Sequence, residues 1–164
     1  MNVSKLTATK FIQGDEKATN EVYLKYRSLL YFIISTYVNS KEDCEDVYQN
    51  LFVSILENRS QIKDPSKLHS YLCITAKNKA INYAKEKNRS SNELFDENLV
   101  GEKDHTRLEE LLSFDLTYDE RVVIGYRLCF GFSFKEISEL TSIPVITLKT
   151  RYARAIKKTR GALK

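Results

Sequence analysis

Residues 133–160 read "SFKEISELTSIPVITLKTRYARAIKKTR", two helical patterns separated by a tight break. Ser133 and Glu136 stand in the S-x-x-E spacing of a capping box. Ile137 and Leu140 fall on the inner face of the short helix that this box opens. "TSIP" interrupts it: Ile143 suits the angle between two helices, and Pro144 suits a first helical turn. The periodicity then predicts a helix from Val145 to Arg160, about 24 Å long. At about 100° per residue, Val145, Leu148, Tyr152, Ala155, Ile156 and Thr159 share one side. Ile146, Thr150, Ala153, Arg154 and Lys157 lie opposite, flanked by Thr147, Lys149, Arg151 and Lys158. A solvated helix ordinarily mixes in acids as i,i+4 partners, yet residues 140–164 contain no carboxylate side chain. A short helix, a sharp turn and a long basic helix read as a helix-turn-helix whose second helix fits the DNA major groove.

Charge elsewhere follows the same logic. Net charge is only +4, but residues 61–90 carry net +5, residues 91–120 net −8 and residues 121–164 net +8. Two basic blocks separated by an acidic one suit two polyanion-binding surfaces joined by a segment that must not bind a polyanion. With 5 Gly and 2 Pro, the chain is too poor in turn formers for a fold built on β-hairpins, and the apolar periodicity is helical. The expected fold class is all-α: two small helical domains joined by a flexible acidic linker.

A first helical region is expected over Thr9 to Val38, with Gly14-Asp15 as an early interruption. Ser40 opens the next helix, "KEDCEDVYQNLFVSILEN", with Asp43 giving a near capping box. Its apolar face runs through Cys44, Val47, Tyr48, Leu51, Phe52, Ile55 and Leu56. Asp46, Gln49 and Asn50 form a separate polar stripe at i, i+3, i+4. After a loop broken at Pro65, a long helix is expected from Ser66 to Arg89. Leu72, Ala76, Ala80 and Tyr83 line its core, and Asn78, Asn82, Lys85 and Arg89 form a polar and basic stripe. The acidic stretch "SSNELFDENLVGEKDHTR" is the expected linker. Helices at Leu108–Phe114 and Tyr118–Leu128 follow, the latter ended by Gly131. The expected domains are 1–89 and 108–164, joined by linker 90–107.

Several function classes fall away. No apolar run approaches the roughly 20 residues of a membrane span, and the N-terminus lacks the apolar core of a signal peptide, so a cytoplasmic protein without membrane insertion is expected. Cys44, Cys73 and Cys129 are widely separated, as are His69 and His105, so neither a metal site nor a CxxC pair is expected. Acids cluster at Asp43, Glu45 and Asp46 and at Glu109 and Glu110, but no HExxH, Gly-rich phosphate loop or Ser/His/Asp set accompanies them. Acids near a helix start ordinarily complement its dipole. No enzymatic activity and no cofactor are expected.

Three motifs, in order, resemble the small extracytoplasmic-function (ECF) group of RNA polymerase sigma factors in the sigma-70 family. "DCEDVYQNLFVSIL" is similar to the region 2 polymerase-binding helix, "SYLCITAKNKAINYAKEKNR" to the helix that follows it, and "FSFKEISELTSIPVITLKTRYARAIKK" to region 4. The resemblance implies a transcription initiation factor that binds core RNA polymerase and promoter DNA, its first domain melting the −10 element and its last reading the −35 element. It also implies an anti-sigma factor as a further partner, since family members are often held by one.

On that resemblance, Asp46, Gln49 and Asn50, rimmed by Val53, are the polymerase-binding residues. Asn50 stands where the family usually has Glu. The −10 contacts fall on Arg59, Ser60, Gln61 and Lys63 of the loop, which aligns with one that captures a flipped base, and on Asn78, Asn82, Lys85 and Arg89. Tyr71 suits either base stacking or the core. The −35 contacts fall on Thr147, Lys149, Thr150, Arg151, Arg154, Lys157 and Lys158. Ile146 replaces a common Gly; it suits a thymine methyl or incidental surface equally. Glu93, Asp96, Glu97 and Glu102 of the linker suit a mimic of a nucleic-acid strand. The competing reading is a standalone helix-turn-helix regulator that binds a palindromic operator as a dimer, without polymerase.

Overall fold

Gly14 cuts the first helical region in two. Helix α1 (Lys5–Gln13) ends where Gly14 adopts φ 93°, a left-handed conformation that costs glycine little. Asp15 restarts the chain: its Oδ1 accepts a hydrogen bond from the Ala18 N–H at 2.8 Å and caps α2 (Glu16–Ser35). These assignments come from a computed structural model, which describes residues 3–91 and 116–162. Most of the expected linker, the Leu108–Phe114 helix and the acids Glu93, Asp96, Glu97 and Glu102 lie outside the described residues.

Helix α3 (Lys41–Asn58) starts from Ser40, whose hydroxyl accepts from the Asp43 N–H at 3.0 Å. Two single 3-10 turns follow, Arg59–Gln61 and Pro65–Lys67, and lead into α4 (Leu68–Ser91). The α-helix begins two residues later than the periodicity predicts. Asp64 caps the second turn by accepting from the Ser66 N–H at 2.9 Å, and Pro65 presets its first φ. At its far end α4 continues through Ser90 and Ser91, two residues into the stretch read as linker.

The chain divides into two compact units. In the first, α2 packs against α1, α3 and α4, and α3 packs against α4. Val22, Tyr26, Leu29, Leu30 and Ile33 of α2 meet Leu51 and Ile55 of α3 and Leu72, Ala76 and Ala80 of α4 in a buried core. Each large apolar side chain there contributes about 1.5–3 kcal/mol by leaving water. The small alanines let α4 approach α2 closely. Tyr83, expected in this core, is half-buried and serves a polar contact described below.

In the second unit, Thr117 and Glu120 form a complete capping box at the start of α5 (Tyr118–Ile124). The helix expected to run to Leu128 widens instead into one π-turn, Gly125–Cys129, and Gly131 at φ 74° ends it. The capping box at Ser133 forms as expected: Glu136 N–H donates to Ser133 Oγ at 3.2 Å, and Ser133 N–H to Glu136 Oε2 at 2.7 Å. It opens α6 (Phe134–Thr141). Ser142 then takes φ 61°, which costs a residue with a Cβ about 1 kcal/mol. Its N–H closes α6 on Ser138 O at 2.8 Å and turns the chain sharply into α7 (Val145–Ala162). Both α5 and α6 pack on α7, around Leu116, Ile124 and Ala155.

Candidate nucleic-acid interface

The two sides of α7 separate as the periodicity predicts. Leu148 and Ala155 are fully buried, and Val145, Tyr152, Ile156 and Thr159 are half-buried beside them. Ile146, Lys149, Thr150, Ala153, Arg154 and Lys157 are all exposed and line one shallow depression of about 450 Å³. Lys149, Arg154 and Lys157 form no ion pair with any described residue. The result is an open helix face with three solvated cations and no acid, a charge pattern that attracts polyanions.

Two of the seven residues assigned to this face point to a different duty. Arg151 places a guanidinium nitrogen 2.7 Å from Asp119 Oδ2 and keeps only 23% of its side-chain surface. Lys158 Nζ donates to Glu120 Oε2 at 2.8 Å. Glu120 is 3% exposed. Burial raises its pKa, but the bonds from Lys158 and from Thr117 outweigh burial and hold the carboxyl below the usual range. These two bridges fasten α7 onto the N-terminus of α5. Helix wheel geometry put Arg151 and Lys158 on the flank, but the wheel cannot show which neighbouring helix supplies an acid there. Thr147 is half-buried.

Arg127 fixes the other helix. One guanidinium nitrogen donates to Phe132 O at 2.9 Å, and the group lies 5.1 Å from the centre of the Phe134 ring. Phe134 meets Tyr152 edge to face at 5.5 Å. The turn before α6, α6 itself and α7 are thereby held at one angle.

The first unit carries the second basic surface. Asn78, Asn82 and Arg89 are exposed and Lys85 half-buried along one stripe of α4. Tyr71 is half-buried at its upstream end, and Ile74, between Tyr71 and Asn78, is 52% exposed. An apolar residue inside a polar stripe leaves no trace in a charge count, so Ile74 escaped the sequence reading. In the loop, Ser60, Gln61 and Lys63 are exposed while Ile62 is buried and anchors them. Arg59 differs: its guanidinium packs over Gly14, with Nη2 2.9 Å from where a Cβ would stand. It braces the 3-10 turn against the α1–α2 corner.

On α3, Asp46, Gln49 and Asn50 are exposed beside Val53, a polar stripe with one apolar rim. Near its start, Asp43 faces inward to α4. Tyr83 Oη donates to Asp43 Oδ1 at 2.7 Å, and Lys87 Nζ pairs with Oδ2. Burial raises the Asp43 pKa, yet the bonds from Lys87, Tyr83 and Ser40 overcome it and leave the carboxyl below its ordinary value. The same bond, with burial, pushes Tyr83 up to about 12. This clasp joins the first turn of α3 to the second half of α4. Among the described residues, no group of His, Cys, Asp and Glu is arranged to hold a metal ion, and no helix is long and apolar enough to cross a membrane.

Residues 22–90 match the family model of Sigma-70 region 2, and residues 115–159 that of Sigma-70 region 4. Together the matches span more than half of the chain. The ECF RNA polymerase sigma-E factors of Haemophilus influenzae and Escherichia coli are each 28% identical to it, over 87% of this chain and 86% and 85% of theirs. RNA polymerase sigma factor SigV of Bacillus subtilis is 27% identical, over 79% of this chain and 81% of its own. CnrH, solved in complex with the cytosolic domain of CnrY, shares the fold: TM-score 0.59 at 20% identity, over 97% of this chain and 96% of that one. The chain belongs to the ECF group of the sigma-70 family of RNA polymerase sigma factors. Members of this family are not enzymes.

Proposed function

We propose that the chain binds core RNA polymerase through the exposed stripe Asp46, Gln49 and Asn50 with Val53, and directs the enzyme to promoters through two DNA surfaces. Ser60, Gln61 and Lys63, with Asn78, Asn82, Lys85 and Arg89, meet the −10 element; Arg59 shapes the loop they share. Lys149, Thr150, Arg154 and Lys157, with Thr147 at the edge, meet the −35 element; Arg151 and Lys158 hold α7 in position. The domains are 1–89 for polymerase and −10 binding and 108–164 for −35 binding, with 90–107 between. The factor works with polymerase in the cytoplasm. A regulator that captures the free factor is a further partner. The complex of CnrH, a protein of like fold, with the cytosolic domain of CnrY supports that reading.

The observation that carries the proposal is the carboxylate-free outward face of α7, with Arg154, Lys149 and Lys157 all solvated. The test is transcription from a genomic fragment library by core polymerase with and without the purified chain. Starts at defined sites that depend on the chain support it. A chain that neither binds polymerase nor changes its starts, yet binds a palindrome as a dimer, is a standalone regulator.

A further inference from the structure

Ile146 is the most exposed large apolar residue of the described chain, at 76%. It stands one residue into α7, on the face turned from the core, with Lys149 beside it. Further along the same line come Thr150, Ala153 and Lys157, all exposed. The Thr150 hydroxyl donates its proton to Ile146 O at 2.9 Å, so the oxygen can accept but no longer donate outward. The centre of the face therefore offers methyl groups and one acceptor, while Lys149 lies on one flank and Arg154 on the other.

We infer that Ile146, with the adjoining Thr150 and Ala153, is the specificity-determining strip of this helix and selects thymine at the −35 element through its C5-methyl group. The inference rests on the promoter-binding reading above and deepens it. Of the four bases, only thymine presents an apolar group on its major-groove edge. A β-branched side chain in a helix is held in essentially one χ1 rotamer, so the Ile146 methyls stand in a fixed place and lose little entropy on contact. Its position near the helix N-terminus is where a recognition helix contacts base edges. From Ile146 to Ala153 the strip extends roughly 10 Å, the rise of about three base pairs. Lys149, Arg154 and Lys157 supply the phosphate attraction without regard to sequence.

The experiment uses holoenzyme assembled from core RNA polymerase and the full chain. A duplex library randomised over the −35 region is selected for binding. Each thymine of the selected element is then replaced singly by deoxyuridine, which deletes the methyl and leaves every hydrogen-bonding group in place. The expected result is a loss of roughly four-fold in affinity per methyl contacted, at one to three adjacent positions. Ile146→Ala holoenzyme should bind the thymine and uracil duplexes alike at the position Ile146 touches. Binding indifferent to every thymine methyl overturns the inference, as does an Ile146→Ala holoenzyme that still loses four-fold at each position. A holoenzyme that selects no −35 sequence at all overturns the underlying reading first.

Discussion

Lys158 Nζ lies 2.8 Å from Oε2 of Glu120, the carboxylate that completes the capping box of α5 with Thr117. One cation thus closes a chain of bonds running from the Thr117 N–H through Glu120 to the C-terminal part of the basic helix. Replacing Lys158 by Met leaves Glu120 buried with one partner fewer. The second unit should lose about 1–3 kcal/mol of stability. Thermal unfolding followed by circular dichroism reads that loss, and Arg154→Ala should leave the same transition where it was.

DNA affinity should show the reverse ranking. Arg154→Ala should weaken −35 binding by about 1–3 kcal/mol if the contact is to a base. Below the melting transition, Lys158→Met should weaken it much less. Holoenzyme titrations on a promoter duplex at several salt concentrations separate the two, because loss of a phosphate contact also flattens the salt slope.

Much of this was legible in the sequence, and the rest was hidden for physical reasons. The capping box at Ser133, the break at Gly14 and the two sides of α7 follow from local rules, which act within a few residues. The partners of Arg151 and Lys158 are 32 and 38 positions away, on α5. Whether a basic residue faces DNA or an acid across a helix pair is a matter of tertiary packing. Tyr83 shows the same limit: its spacing marks core, but its hydroxyl reaches Asp43, 40 residues earlier. The π-turn at Gly125–Cys129 also left no local signal.

Acid should loosen both units. Asp43 and Glu120 are held below their ordinary values of 3.8 and 4.5 in the folded chain, bonds from Lys87 and Lys158 outweighing the burial that raises them. A depressed carboxyl contributes stability that is fully present above its unfolded value and is lost as pH falls through the folded one. Denaturant midpoints should therefore hold steady above about pH 5 and decline below about pH 4.5. In Glu120→Gln the decline attributable to the second unit should shrink.

Gly14→Ala should destabilise the first unit by about 1–2 kcal/mol, because φ 93° is unfavourable for any residue with a Cβ. The added methyl also displaces the Arg59 guanidinium that braces the loop. Promoter opening, read by permanganate reactivity of unpaired thymines, should fall in Gly14→Ala and in Arg59→Ala alike, while duplex binding at −35 stays unchanged.

The most direct measurement is a footprint of the promoter by the full chain with core polymerase, repeated with the Gln49→Ala and Asn50→Ala double variant. Protection is expected at both −35 and −10 with a defined start site, and loss of both together in the variant, whose melting temperature is unaltered. Protection by the chain without polymerase, or a footprint that survives in the variant with the wild-type affinity, would contradict it.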